Sequence, residues 1–151
     1  MPNAWIIADR TDISRVAKLG LIFIPRILMT ALETTPLSDA DYHARCAEVF
    51  ALVEASVDAW LQSDVIDIDS HRTGGLLELS FQTGGKIVIN TQPPLQELWL
   101  AAKSGGYHFK YRQQSWTDTR DGREFFDVLS NCVSEQAGQP LRFGEAAKNR
   151  A

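Results

Sequence analysis

Residues Leu77–Tyr111 read LELSFQTGGKIVINTQPPLQELWLAAKSGGYHFKY, and this stretch decides the fold. Leu77, Leu79 and Phe81 alternate with Glu78, Ser80 and Gln82, the period of a strand with one buried and one wet face. Thr83-Gly84-Gly85 has the residues of a hairpin turn. Lys86–Thr91 (KIVINT) resumes the alternation, with Ile87 and Ile89 inward. Pro93 and Pro94 break the run, because proline has no N–H for a ladder. Leu95–Ala102 (LQELWLAA) is a short apolar segment that fits strand or helix by pattern alone. Ser104-Gly105-Gly106 turns the chain, and the aromatic Tyr107–Tyr111 reads as another strand.

Working outward, Asp64–Asp69 (DVIDID) predicts a strand with Ile66 and Ile68 inward and Asp67 and Asp69 together on the wet face. Before it, Ser38 or Asp39 caps a helix. Tyr42, Cys46, Val49, Phe50, Val53, Val57, Trp60 and Leu61 follow at helical spacing, a stripe that faces a core. Glu54 and Asp58, four apart, share a face beside that stripe. On the other side, Gln113-Gln114 turns into Ser115–Asp118 around Trp116. Asp121-Gly122 then precedes a helix carrying Phe125, Phe126, Leu129, Cys132 and Val133 on one face. Gly138 and Pro140 end it. Helix, strand meander, helix predicts an α+β fold: a two-layer sandwich with both helices on one face of an antiparallel sheet. Three segments result: an N-terminal extension over 1–37, one domain over 38–138 and a C-terminal tail over 139–151, polar from residue 141.

The 151 residues suit one domain, and 44% apolar content supplies a core. The net charge of −4 argues against nucleic acid, which requires clustered Lys and Arg. That charge is uneven. Eight acids lie between Asp39 and Asp69, with Arg45 the only Lys or Arg, so this segment carries −7. Such a face attracts cations or a basic partner. Cys46 and Cys132 lie in no metal or redox spacing and read as buried free thiols of a reducing cytoplasm. Leu19–Leu28 (LGLIFIPRIL) is too short for a bilayer span and is broken by Pro25 and Arg26. It also lacks the marks of a signal or transit peptide. Residues 1–28 therefore read as an upstream extension ahead of Met29 or as a loosely attached segment.

No P-loop, GxGxxG, HExxH or GxSxG occurs. The histidines His43, His71 and His108 fall on different elements, which argues against a His-rich metal centre. What remains is oxygen chemistry. Carboxylates suit hard cations, and carboxylates on a rigid surface leave an ion most of its water, so binding is micromolar or poorer, roughly −8 kcal/mol or less favourable. Charge pattern alone equally fits a solvated face. The grouping of Glu54 with Asp58, and of Asp67 with Asp69, carries a self-repulsion that solubility does not require. A second candidate is Asn90-Thr91-Gln92 with Trp99, amides and an aromatic that form either a protein contact surface or part of the sheet packing.

GGKIVINTQPPLQELWLA, SGGYHF and DGREFFDVLS, with the acidic helix ending in Asp58-Ala59-Trp60, closely resemble the bacterial type of the frataxin family over about residues 38–138. Residues 1–37 find no counterpart in it. The resemblance implies the same α-β sandwich. It also implies weak, reversible binding of Fe2+ or Fe3+ on an acidic ridge, here Glu54, Asp58, Asp64, Asp67 and Asp69. It implies that the ridge meets the basic surface of a cysteine desulfurase. It implies further that the sheet face, here Asn90, Gln92 and Trp99, faces the assembly complex with the iron–sulfur scaffold protein. A cytoplasmic monomer that can form iron-dependent oligomers, without nucleic-acid or membrane binding, completes the expectation. This chain departs from the family at Ala55, Ala59 and Leu61, where many relatives carry carboxylates. That thins the ridge and weakens multi-iron loading more than a long-range field. The expected function is that of an iron-binding regulator or iron donor in iron–sulfur cluster assembly, not an enzyme. Ferroxidase chemistry ranks lower, since no Glu-x-x-His pair is present. An acidic adaptor without a metal role is the remaining alternative.

Overall fold

A computed structural model describes residues 37–144. Expectations for residues 1–36, including the upstream extension, and for 145–151 lie outside the described residues. Helix α1 (Asp39–Gln62) is followed by strands β1 (Ile68–Thr73), β2 (Leu76–Phe81), β3 (Lys86–Gln92), β4 (Glu97–Ala102), β5 (Gly105–Arg112) and β6 (Ser115–Asp118), then helix α2 (Phe125–Ala137). The strands form one antiparallel sheet in sequence order, β1 to β6. This is the α+β sandwich that the alternation predicts.

Parity along each strand sorts the side chains. Leu77, Ile89 and Leu100 lie in register across β2, β3 and β4, and Leu79 faces Ile87. All are buried, together with Leu98, Phe109 and Trp116. Over them lie Tyr42, Cys46, Val49, Phe50, Val53 and Val57 of α1 and Phe125, Val128, Leu129, Cys132 and Val133 of α2, one continuous core. Each fully buried large aliphatic or aromatic side chain contributes roughly 1.5–3 kcal/mol of transfer free energy. Tyr42 also ties α1 to the sheet, its hydroxyl donating to the Glu97 carbonyl at 2.7 Å.

The helix ends explain where the elements begin. Ser38 caps α1, its Oγ accepting from Asp41 N at 3.1 Å. Glu124 caps α2, its carboxylate accepting from Phe126 N at 2.7 Å. Gly138 closes α2 in the left-handed region at φ 70°, where glycine carries no Cβ penalty.

Four expectations change. Leu61, expected on the core-facing stripe, lies in the last turn of α1 and is 54% exposed. The strand expected over Asp64–Asp69 starts at Ile68 and runs on to Thr73. The end of α1 consumes the intervening chain: Ser63, Asp64 and Val65 each donate their N–H back to Ala59, Leu61 and Trp60 carbonyls, and Asp64 takes φ 57°. Asp67 therefore precedes the strand and shares no strand face with Asp69. Leu95–Ala102 divides into a single 3-10 turn, Pro93–Leu95, and β4. Gln96 makes the break, at φ 48° with its N–H on the Pro93 carbonyl. Lastly, the polar tail begins later than expected, because Leu141 and Phe143 are buried. Ser134 Oγ both donates to the Leu141 carbonyl and accepts from its N–H, and Ser130 Oγ accepts from Phe143 N.

Candidate cation and partner surfaces

The five acids expected to hold iron lie along α1, the turn after it and the start of edge strand β1. Asp58 is exposed on α1, Asp64 on the turn, and Asp69 on β1 opposite Ser80. Asp67, exposed just before β1, accepts from Gln82 Nε2 at 2.6 Å. Glu54 is partly shielded and meets Arg72 Nη1 at 3.6 Å. Among the described residues, no three His, Cys, Asp or Glu side chains converge into a metal cage. The acids thus form a dispersed anionic edge. A cation there would keep most of its hydration and be held by field more than by inner-sphere ligands.

Arg72 is the ridge residue that sequence reading missed. It shares strand parity with buried Ile68, so it points toward the α1 side. There its guanidinium lies 4.9 Å from the Phe50 ring centroid while pairing with Glu54. It brings one positive charge into the anionic edge, eighteen positions along the chain from its partner. Arg45, the base within the acidic segment, is engaged with Glu48 at 3.0 Å.

The second surface is the sheet face turned away from the helices. Asn90 of β3 stands opposite Trp99 of β4, and Trp99 opposite His108 of β5. The Trp99 and His108 rings stack with centroids 4.2 Å apart and planes 6° from parallel. Trp99 Nε1 donates to Glu97 Oε2 at 2.8 Å. Glu97 in turn meets Lys110 Nζ at 3.6 Å and lies 3.8 Å from His108 Nδ1. Gln92 Nε2 donates to Asn90 Oδ1 at 3.3 Å. The structure therefore brings Asn90, Gln92 and Trp99 onto one platform and adds Glu97, His108 and Lys110. The period-two spacing of His108 and Lys110 in YHFKY carried the signal for two of these, once β5 is paired with β4. An aromatic plate fixed by a carboxylate and flanked by amides has the composition of a protein contact surface.

The two surfaces are distinct. Glu54, Asp58, Asp64 and Asp67 lie along α1 and the turn into β1, Asp69 has the opposite parity to Ile68 and Arg72 and so stands at the β1 edge of the open face, and the aromatic platform occupies the middle of that face. Among the described residues no helix is long and apolar enough to cross a membrane.

Two helices on one face of a six-stranded antiparallel meander, with a carboxylate-rich edge and an aromatic open face, define the class: an open-faced α+β sandwich. The chain belongs to the frataxin family, as the frataxin-like domain model matches residues 35–139. It is 48% identical over 107 residues to the iron-sulfur cluster assembly protein CyaY of Burkholderia mallei (strain SAVP1), covering 71% of this chain and 98% of the relative. It is 44% identical over 110 residues to the CyaY of Variovorax paradoxus (strain S110), covering 73% and 100%. The frataxin structure from Psychromonas ingrahamii superposes with a TM-score of 0.65 at 29% identity, covering 72% of this chain and all of that one. Yeast frataxin shares the fold, with a TM-score of 0.55 at 23% identity over 75% of this chain and 89% of that one.

Proposed function

We propose that this protein serves iron–sulfur cluster assembly as a non-enzymatic iron-binding component of the cytoplasm, working through a complex with a cysteine desulfurase and the scaffold protein. Membership of a family whose relatives carry the cluster-assembly name supports the pathway. The observation that carries the mode of action is the separation of two surfaces on one rigid sandwich.

Iron is cargo here, not a resident cofactor. Glu54, Asp58, Asp64, Asp67 and Asp69 lie on an edge without a cage, which suits weak, exchangeable binding. The same charge steers a basic protein surface toward α1 and β1, and this attraction falls with ionic strength. Trp99, Asn90 and Gln92 then remain free on the open face for a second contact. A bound iron ion would neutralise part of the ridge and so couple iron loading to the strength of partner docking.

Anaerobic isothermal titration tests this reading. Replacing Glu54, Asp58, Asp67 and Asp69 by Gln or Asn weakens both Fe2+ binding and binding to the desulfurase. Unchanged affinities for both ligands would sink the proposal.

A further inference from the structure

The open-face positions of β5 carry a row of bases. His108, Lys110 and Arg112 alternate with buried Phe109 and half-buried Tyr111, so all three stand on the face turned away from the helices. Alternate residues of a strand repeat at about 6.6 Å, which sets the spacing of the row. On one side its cross-strand neighbours are neutral: Lys110 faces Thr117 and Arg112 faces Ser115 of β6. On the other side the one acid is Glu97 of β4, opposite Lys110.

Pairing leaves the row positive. Glu97 lies 3.6 Å from Lys110 Nζ, and these two charges cancel. Arg112 is exposed at the end of β5 and makes no ion pair or side-chain hydrogen bond among the described residues. The His108 side chain is 48% exposed and stacked on Trp99. The charged groups around it are Glu97, 3.8 Å from Nδ1, and Lys110 on its own strand. Asn90, on the far side of Trp99, is uncharged, and Arg120 reaches the nearby Gly106 carbonyl at 2.8 Å. An imidazole changes charge near neutral pH. The row therefore gains a second net positive charge, beside that of Arg112, when His108 takes up a proton. The carboxylate-rich edge lies at the opposite, β1 end of the sheet.

We propose that this row, with Trp99 beside it, docks an extended acidic segment of a protein partner, one with carboxylates at alternate residues. Such a segment lying along β5 presents a carboxylate about every 6.6 Å, the repeat of His108, Lys110 and Arg112. Arg112 offers an unpaired guanidinium for a two-pronged contact. Lys110 shares its ammonium between Glu97 and the incoming carboxylate, and protonated His108 supplies the third contact. The anionic β1 edge repels the same segment, so charge confines it to the β5 end. This deepens the reading of the open face as a partner surface by naming the chemistry that it receives.

The test uses the full chain, 15N-labelled and free of iron, with the peptide acetyl-Glu-Thr-Glu-Thr-Glu-amide as probe. Amide spectra are recorded during titration at pH 8 and at pH 6. Shifts are expected at Trp99 and along residues 108–112, with binding roughly two- to threefold tighter at pH 6 and weaker in added salt. Arg112→Gln, an exposed change, weakens binding by a similar factor, and His108→Gln removes the pH difference. A peptide of the same composition with its glutamates adjacent, acetyl-Glu-Glu-Glu-Thr-Thr-amide, binds less tightly. Absence of shifts on β5 at millimolar peptide, equal binding of the reordered peptide, an unaffected Arg112→Gln variant, or a pH difference that survives His108→Gln would each overturn the proposal. So would pentathymidylate binding as tightly as the peptide, which would assign the row to nucleic acid. Neither iron nor the desulfurase enters the test, so its failure strikes this proposal and leaves the proposed function standing.

Discussion

Arg72→Gln isolates the charge logic of the ridge. Arg72 Nη1 lies 3.6 Å from Glu54 Oε2, and the two side chains are 39% and 32% exposed. Removing the guanidinium leaves Glu54 unpaired and makes the edge more negative by one unit. A unit charge about 5 Å from a divalent ion is worth roughly 1.7 kcal/mol in water, and screening at physiological ionic strength removes about half of it. The remaining ~0.9 kcal/mol corresponds to an increase of about fivefold in Fe2+ affinity. Stability moves the other way. The guanidinium over Phe50 and the exposed ion pair together account for about 1 kcal/mol, so the variant unfolds at a slightly lower urea concentration. Anaerobic titration calorimetry at two ionic strengths, beside urea melts, separates the two effects. The affinity gain shrinks at higher salt, and adding Glu54→Gln cancels it. A folded Arg72→Gln protein that binds Fe2+ no more tightly than the parent would refute the reasoning.

Other consequences follow from packing and capping. Leu129→Ala, at a fully buried position of α2, destabilises the fold by about 2–5 kcal/mol in urea melts. Ser38→Ala removes the α1 cap that receives Asp41 N and costs about 1 kcal/mol in the same assay. Burial raises the pKa of Glu124 despite its hydrogen bonds from Phe126 and Asp127. The folded state therefore binds that proton more tightly than the unfolded chain does, and this group's contribution falls as pH rises from its ordinary value, 4.5, through the raised folded value. Glu124→Gln removes that component, so the stability difference between parent and variant shifts toward the variant with rising pH, which melts recorded across the range check.

The meander was legible because Leu77–Thr91 alternates cleanly and four of its five turns carry glycine or proline, the exception being Gln113-Gln114, which takes φ 48° and 65° without glycine. The two helices were legible from Tyr42–Val57 and Phe125–Val133 in the same way. Ile66 and Ile68 misled because two isoleucines spaced by two mimic a strand. The hydrogen bonds that close α1 at Ser63, Asp64 and Val65 decide the local conformation instead. Leu141 and Phe143 gave no periodic signal, since they enter the core from an irregular segment held by Ser130 and Ser134. On the open face, Asn90, Gln92 and Trp99 could be named from sequence, but their stacking and carboxylate partners depend on strand register. The Arg72–Glu54 pair is a tertiary contact between β1 and α1, invisible to any local window. Strand parity with Ile68 was the one clue to where Arg72 points.

The central claim is that the anionic edge of α1 and β1 is where iron binds, separately from the aromatic platform. Recording amide spectra of 15N-labelled protein during anaerobic Fe2+ titration tests it most directly. Paramagnetic broadening should begin at Glu54, Asp58 and Asp64–Asp69 while the amides of Asn90, Trp99 and His108 stay sharp, and it should reverse on chelation. Broadening that begins on the open face, or that spreads evenly over the domain, would contradict the account.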